Sequence, residues 1–418
     1  MAALSRSPRL RSAAFARLFS RLEASRRALC APEAVIDRIL SCYPSPSLLN
    51  LAPGVAHWTV PPSVRAAAIE GGRRGYGACQ GDDDLLAALH AKLESFNRID
   101  MAGREVMVTS GANQAFVQAL LCLCDWGDEA VLFSPYYVSH LAALQICGLH
   151  PIVIPVGPDG LPDVDVLKAE LTRRQGRVKA VVLCSPSNPS GAVCPEPLGR
   201  AIQLACAHHR AWLLTDEAYE DFTFDGHSHA SLAGQPGSAR VELIGDQAEA
   251  SLPTTLTDGV VSLFTFSKSY GLPSWRVGYM VYPRRLHDAM LKLQDTMPTH
   301  ASRQSQAVAL RALTQLGSPW VREQVSSLQE VRALLWHPLS RLYDDVKRTR
   351  GVNLQKKHPP GGAIYFLLPL PPGVDEEVAI RWSMACYSYQ ARHSELRVHC
   401  DSAMDVSLQM QRQKSLTG

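Results

Sequence analysis

Lys268 stands in a hydroxyl cluster, Ser267-Lys268-Ser269, at the end of an apolar run, Val260-Val261-Ser262-Leu263-Phe264-Thr265-Phe266, that reads as a buried strand. A lysine in that place is costly unless it does chemistry or finds a partner. Desolvation and a neighbouring cation each lower an amine's pKa, which makes it a nucleophile toward aldehydes. A surface lysine after an edge strand is the other reading of Lys268 taken alone. Eight residues on, Arg276 opens a second β-rich run, Arg276-Val277-Gly278-Tyr279-Met280-Val281-Tyr282. Asp216 closes another apolar run, Ala211-Trp212-Leu213-Leu214-Thr215, with Tyr219 three residues later. An acid ending a buried strand needs a counter-charge or a hydrogen-bond donor, or it caps a helix.

The elements that must position these groups alternate regularly. Val106 to Thr109 reads as a short strand, and Ser110-Gly111-Ala112-Asn113 then turns into an apolar helix running to Cys124. A strand, a small-residue turn and a helix N-terminus together make an anion site; a tight turn that binds nothing fits the same residues. Ala130 to Phe133 is the next strand, ending in Ser134-Pro135-Tyr136-Tyr137, an aromatic pair that alone would suggest packing. Further strands follow at Ile152–Pro155 and Lys179–Cys184, separated by a polar helix near Asp163–Arg174. Asn188-Pro189-Ser190-Gly191 is a turn of common type. At the C-terminal end of a parallel strand it would point an amide into the crevice where α/β sheets bind ligands. The alternation over 106–282 argues an α/β fold with a mainly parallel sheet flanked by helices.

Upstream, Leu51 to Pro62 reads as extended with a Pro-Gly turn at Gly54, and Gly71 to Leu86 is a glycine-rich loop containing Tyr76 that enters a helix. Residues 226–259 are polar, irregular and longer than a usual connection, and they read as a surface excursion. Arg284–Gln294, Ala301–Gln315 and Pro319–Val346 read as helices, the last long enough to bridge to a smaller domain.

A chain of 418 residues suggests two or three domains, or one large domain with a satellite. Lys plus Arg number 42 against 39 for Asp plus Glu, a net +3 that is too balanced to suggest a nucleic-acid partner. No run of about 18 apolar residues suggests a membrane span. The eleven cysteines are scattered, which favours reduced thiols over a disulfide framework or a zinc site. Residues 1–28 hold seven arginines, five serines and Glu23 as their only acid, the composition of an organelle transit peptide. That reading places the protein in a mitochondrion or plastid; an ordinary basic helix there would leave it cytoplasmic.

Thr265-Phe266-Ser267-Lys268-Ser269-Tyr270-Gly271, followed by Trp275-Arg276-Val277-Gly278-Tyr279, resembles the lysine motif of class I/II pyridoxal-phosphate-dependent aminotransferases. The resemblance implies that Lys268 binds the cofactor aldehyde covalently, while Thr265 and Arg276 hold the phosphate with Gly111, Ala112 and Asn113. It makes Tyr137 the aromatic that stacks on the pyridine ring, and Asn188 and Tyr219 the partners of the phenolic oxygen. Asp216 would hold the pyridine nitrogen protonated, so that the ring acts as electron sink. Tyr76 would reach the phosphate across a homodimer interface. Gly54 and Arg397 would lie on the substrate side, the arginine pairing with the substrate carboxylate.

The same resemblance implies a type I fold with a smaller α+β domain. With the basic segment 1–28 set apart as a transit peptide, the chain divides into an N-terminal arm with part of the small domain (29–50), a large cofactor domain (51–300), a small domain (301–382) and a divergent C-terminus (383–418). Gly361 to Leu368 resembles the first strand of the small domain. The implied reaction moves an amino group from an amino acid to a 2-oxo acid, with Lys268 as general base. Gly54-Val55-Ala56-His57-Trp58 and Gly111-Ala112-Asn113-Gln114-Ala115-Phe116 are most similar to plant-type aromatic aminotransferases, implying aromatic or methionine-like donors. A C–S β-lyase on the same scaffold is the alternative. So is a cofactor-binding homologue with impaired catalysis, because from about Ser383 the pattern dissolves. Leu396-Arg397-Val398 fits locally, but without the Pro-Gly approach or a final apolar-periodic helix.

Overall fold

The computed structural model describes residues 24–32, 54–70, 72, 75–234, 256–350 and 359–367. Seven strands form one sheet: β1 Arg104–Thr109, β2 Glu129–Ser134, β3 His150–Pro155, β4 Val178–Cys184, β5 Trp212–Asp216, β6 Val260–Thr265 and β7 Gly278–Pro283. Their order is β1-β7-β6-β5-β4-β2-β3. β3, β2, β4, β5 and β6 pair in parallel, whereas β7 runs antiparallel to both β6 and β1. Six strands therefore share one direction and β7 alone reverses, the mixed but mainly parallel α/β sheet expected.

The strands β2, β4, β5, β6 and β7 are largely apolar along both faces because both are covered, whereas the edge strand β3 is mostly open. Successive side chains point to opposite sides. Val106, Val131, Val181, Leu213 and Phe264 accordingly join one core, and Met107, Leu132, Val182, Leu214 and Leu263 join the other. The helices Asp83–Ser95, Val164–Arg174 and Glu196–His208 supply Leu89, Leu167 and Ile202 to the first. The helices Ala112–Leu123, Val138–Ile146 and His287–Thr296 supply Phe116, Leu144 and Met290 to the second. With the chain direction shared, the C-terminal ends of six strands and the start of β7 fall along one edge, where a crevice opens. None of the described helices is long and apolar enough to cross a membrane.

Four expectations change. β7 begins at Gly278 and not at Arg276, because Arg276 adopts a left-handed backbone (φ 48) that a strand cannot contain. Residues 361–367 do not form the expected strand; Gly362 makes only an isolated bridge to Thr223. Their backbone groups go to loops instead, Ala363 N donating to Phe222 O (3.0 Å) and Gly362 N to Gly191 O (2.8 Å). The stretch after residue 226 is not all surface. Ser231, Leu232 and Ala233 are buried, and Arg200 Nη2 donates to Gly234 O (2.8 Å); residues 235–255 lie outside the described part.

The helix Gly317–Arg350 runs past both expected ends. From it the buried Arg332 clamps the 359–367 segment, donating from Nε to Pro360 O (3.0 Å) and from Nη1 to Asp225 Oδ1 (3.2 Å).

Candidate active site

Lys268 owes its place to the end of β6. Thr265 caps the single helical turn Phe266–Ser269, its Oγ1 accepting from Ser267 N (3.1 Å). That turn delivers Lys268 to the crevice, where Nζ donates to Gly54 O and lies 5.4 Å from the ring centre of Tyr219. Burial pushes the amine down to about 8; Asp216 opposes the shift and Arg276 adds to it. The lysine is therefore not the solvated group of the edge-strand alternative.

Asp216 ends β5 and is buried. Its Oδ1 accepts from Ala218 N (3.1 Å), so it does cap the following turn. Its Oδ2 lies 2.9 Å from His140 Nε2. His140 is a site residue that the sequence reading missed. It follows Tyr137 by three positions on the helix Val138–Ile146, under the rings of Phe116 (4.4 Å) and Tyr137 (5.3 Å). The only signal for it was that spacing, which places the imidazole on the helix face shared with the N-terminal aromatic.

Tyr137, His140, Cys184 and Asn188 line one cleft. The Asn188 side-chain oxygen is buried and finds no hydrogen-bond partner among the described residues. Tyr219 packs edge-on against Tyr365, ring centres 5.4 Å apart, and the two hydroxyls hydrogen-bond. Burial, reinforced by Tyr365, holds the Tyr219 phenol well above its usual pKa, so it stays protonated.

The third part of the site is a corner built for an anion. Gly111 (φ 85, ψ 168) stands at the N-terminus of the helix Ala112–Leu123, and no side-chain hydrogen bond caps that end. Across from it, Arg276 donates from Nη1 to Pro273 O (3.0 Å) and from Nη2 to Ser110 O (3.4 Å). A Cβ on Gly111 would fall 2.6 Å from Arg276 Nη2. The start of a helix without a side-chain cap and a guanidinium thus lie side by side. Ala112 and Asn113 form the first turn of that helix.

The crevice therefore gathers Lys268, Gly54, Asp216, Tyr219, Tyr137 and Asn188, with Thr265, Gly111 and Arg276 at its phosphate-type corner. Tyr76 is not among them. It is 87% exposed and touches only the His300 ring edge (5.9 Å) among the ring contacts. Arg397 lies outside the described residues. No group of three or more His, Cys, Asp or Glu among the described residues could hold a metal ion.

The family Aminotransferase class I and II matches residues 46–398. The chain belongs to it. An aromatic aminotransferase of Arabidopsis thaliana is 34% identical over 345 residues, covering 80% of this chain and 78% of the relative. The solved aromatic aminotransferase of Pyrococcus horikoshii superposes with a TM-score of 0.63 at 25% identity, over 79% of this chain and 81% of that one. The aspartate aminotransferase of Rhizobium meliloti gives 0.66 at 26%, over 77% and 78%. The protein is thus an aminotransferase, similar to enzymes named for aromatic amino acids and for aspartate.

Aminotransferases of this family use pyridoxal phosphate, and the site of this one fits that group. An amine driven toward its neutral form suits an aldehyde, and a buried carboxylate suits a ring nitrogen. The Gly111–Arg276 corner suits a phosphate, and the buried Asn188 side-chain oxygen, an acceptor without a partner among the described residues, suits a hydroxyl substituent on the ring.

Proposed function

We propose that this aminotransferase moves the amino group of an aromatic or methionine-like amino acid to a 2-oxo acid, using pyridoxal phosphate held in the crevice. The observation that carries the reading is Lys268, whose amine burial pushes down to about 8 against the opposing charge of Asp216, with Nζ donating to Gly54 O beside the Tyr219 ring. When bound, pyridoxal phosphate supplies an electron-withdrawing ring that stabilises charge at the substrate α-carbon.

The chain's residues do the rest. With pyridoxal phosphate bound, Lys268 Nζ would be the amine that holds the cofactor aldehyde and, when freed by the substrate amine, the general base placed to take the α-proton. Asp216, steadied by His140, keeps a proton on the ring nitrogen. Tyr219 and Asn188 hydrogen-bond the phenolic oxygen, and Tyr137 stacks on the ring. Thr265, Arg276 and the N–H groups of Ala112 and Asn113 would hold the phosphate, with Gly111, whose own N–H donates to Thr109 O (2.8 Å), allowing its close approach. Gly54 faces the substrate, and Arg397 is its carboxylate anchor. The aromatic preference rests on the names of the Arabidopsis and Pyrococcus relatives.

A homodimer belongs to the same proposal, because an 87% exposed tyrosine at position 76 is suited to another subunit's site. Residues 1–28 act as a transit peptide to a mitochondrion or plastid. Purified protein loaded with pyridoxal phosphate should transfer amino groups from phenylalanine, tyrosine and methionine to 2-oxo acids faster than from aspartate. Preference for aspartate would remove the aromatic assignment. Release of ammonia and pyruvate from cysteine conjugates, without 2-oxo acid dependence, would make the protein a lyase.

A further inference from the structure

Tyr365 was not foreseen as part of the site, yet it is buried against it at 4% exposure. The segment that carries it is clamped to both loops that flank the proposed phenolic oxygen. Gly362 N donates to Gly191 O (2.8 Å) in the Asn188 loop, and Phe224 N, just past Tyr219, donates to Gly361 O (2.8 Å). Gly191 approaches so closely that a Cβ there would fall 2.7 Å from Gly362 O. On its other side the Tyr365 hydroxyl abuts Gly54, where an added Cβ would lie 3.1 Å from Tyr365 Cζ. Gly54 O is the acceptor of Lys268 Nζ.

A phenol has one proton to donate and lone pairs that accept. In the Tyr219–Tyr365 pair either oxygen could be the donor. If Tyr219 donates to Tyr365, its proton is spent within the protein. If Tyr365 donates to Tyr219, the Tyr219 proton is left for an oxygen in the crevice, and that second bond is strengthened by the first.

We propose that Tyr365 is a positioning residue that donates to Tyr219 and thereby aims the Tyr219 proton at the cofactor's phenolic oxygen. The inference rests on the cofactor reading given above. It assigns Tyr365 no contact with the reacting atoms, only the direction and strength of the bond that Tyr219 makes.

The absorbance band of the lysine-bound cofactor titrates with pH, and donation to the phenolic oxygen favours its charged form. Relayed hydrogen bonds strengthen by roughly 10–30%, so removing the Tyr365 hydroxyl should raise the band's pKa by about 0.1–0.6 pH unit. The measurement is a spectral pH titration of cofactor-loaded parent, Tyr365→Phe, Tyr219→Phe and the double variant. Tyr219→Phe should shift the band further upward, and Tyr365→Phe should add nothing once Tyr219 is gone. Gly54→Ala, which pushes the same hydroxyl aside from the opposite flank, provides a second perturbation and should also raise the pKa. An unchanged pKa in Tyr365→Phe overturns the inference, as does an equal shift with and without Tyr219. A parent protein with no lysine-bound band at all overturns the cofactor reading itself, an outcome distinct from either.

Discussion

Gly111→Ala tests whether the corner beside Arg276 holds an anion or is merely a tight turn. The backbone at Gly111 (φ 85, ψ 168) lies in a region that is essentially glycine's alone. Alanine there costs about 1–3 kcal/mol of stability from strain. The new Cβ would also sit 2.6 Å from Arg276 Nη2 and 3.1 Å from Cζ. Arg276 is anchored only through carbonyl oxygens of Pro273 and Ser110 in the described hydrogen bonds, so its guanidinium can swing away. Losing one hydrogen bond to a charged group costs about 1.5–3 kcal/mol. That is roughly a ten- to hundredfold weaker hold on a phosphate-bearing ligand. Binding isotherms of pyridoxal phosphate, with inorganic phosphate as competitor, read the affinity, and chemical denaturation reads the strain. If stability falls as worked but affinity stays within about threefold of the parent, the corner binds nothing and the argument fails.

The remaining predictions concern the crevice. Lys268→Ala should keep the fold and lose any borohydride-reducible link to pyridoxal phosphate; a surviving link would move the anchor to another lysine. In the parent, burial disfavours the charged amine, so the reactive neutral form dominates only above a pKa of about 8. Cofactor attachment should accordingly speed up as pH rises toward that value and level off beyond it, and a rate flat on the acid side would refute the assignment. Asp216→Asn should retain the cofactor and lose turnover by orders of magnitude, whereas activity within about threefold would reduce Asp216 to a turn cap. Arg397→Ala should raise KM for the amino acid by roughly tenfold to a thousandfold, the value of one bidentate carboxylate contact. No change there would mean that the C-terminal stretch has no part in substrate binding.

The sequence made the sheet legible because parallel strands covered on both faces must be apolar throughout, and runs such as Val178–Cys184 cannot easily be anything else. The site was legible for a related reason: a lysine, an aspartate or an Asn-Pro turn at the end of such a run has no bland place to go. What stayed hidden were contacts between residues far apart in the chain. His140 and Asp216 are 76 positions apart, and Tyr219 and Tyr365 are 146 apart. Composition also misled. The stretch after residue 226 is polar and so reads as surface, yet His229 Nε2 lies 2.8 Å from the buried Glu217 Oε2, and Ser231 Oγ donates to Glu217 Oε1 (3.1 Å).

That last contact bears on how the crevice is held in shape. Adjacent residues at the end of β5 point to opposite faces of the sheet. Asp216 turns toward His140, whose ring packs on Phe116, while Glu217 turns toward Thr215 Oγ1 (2.7 Å), Ser231 and His229. Both carboxylates are buried, and each would be costly without a partner. Burial works against charge on His229, but the Glu217 hydrogen bond and charge outweigh it and raise its pKa. The turn from Asp216 to Tyr219 is therefore pinned by one histidine on each face of the sheet. Pinning from both sides is what lets a loop at the end of a strand hold a carboxylate and a phenol at fixed positions in the crevice.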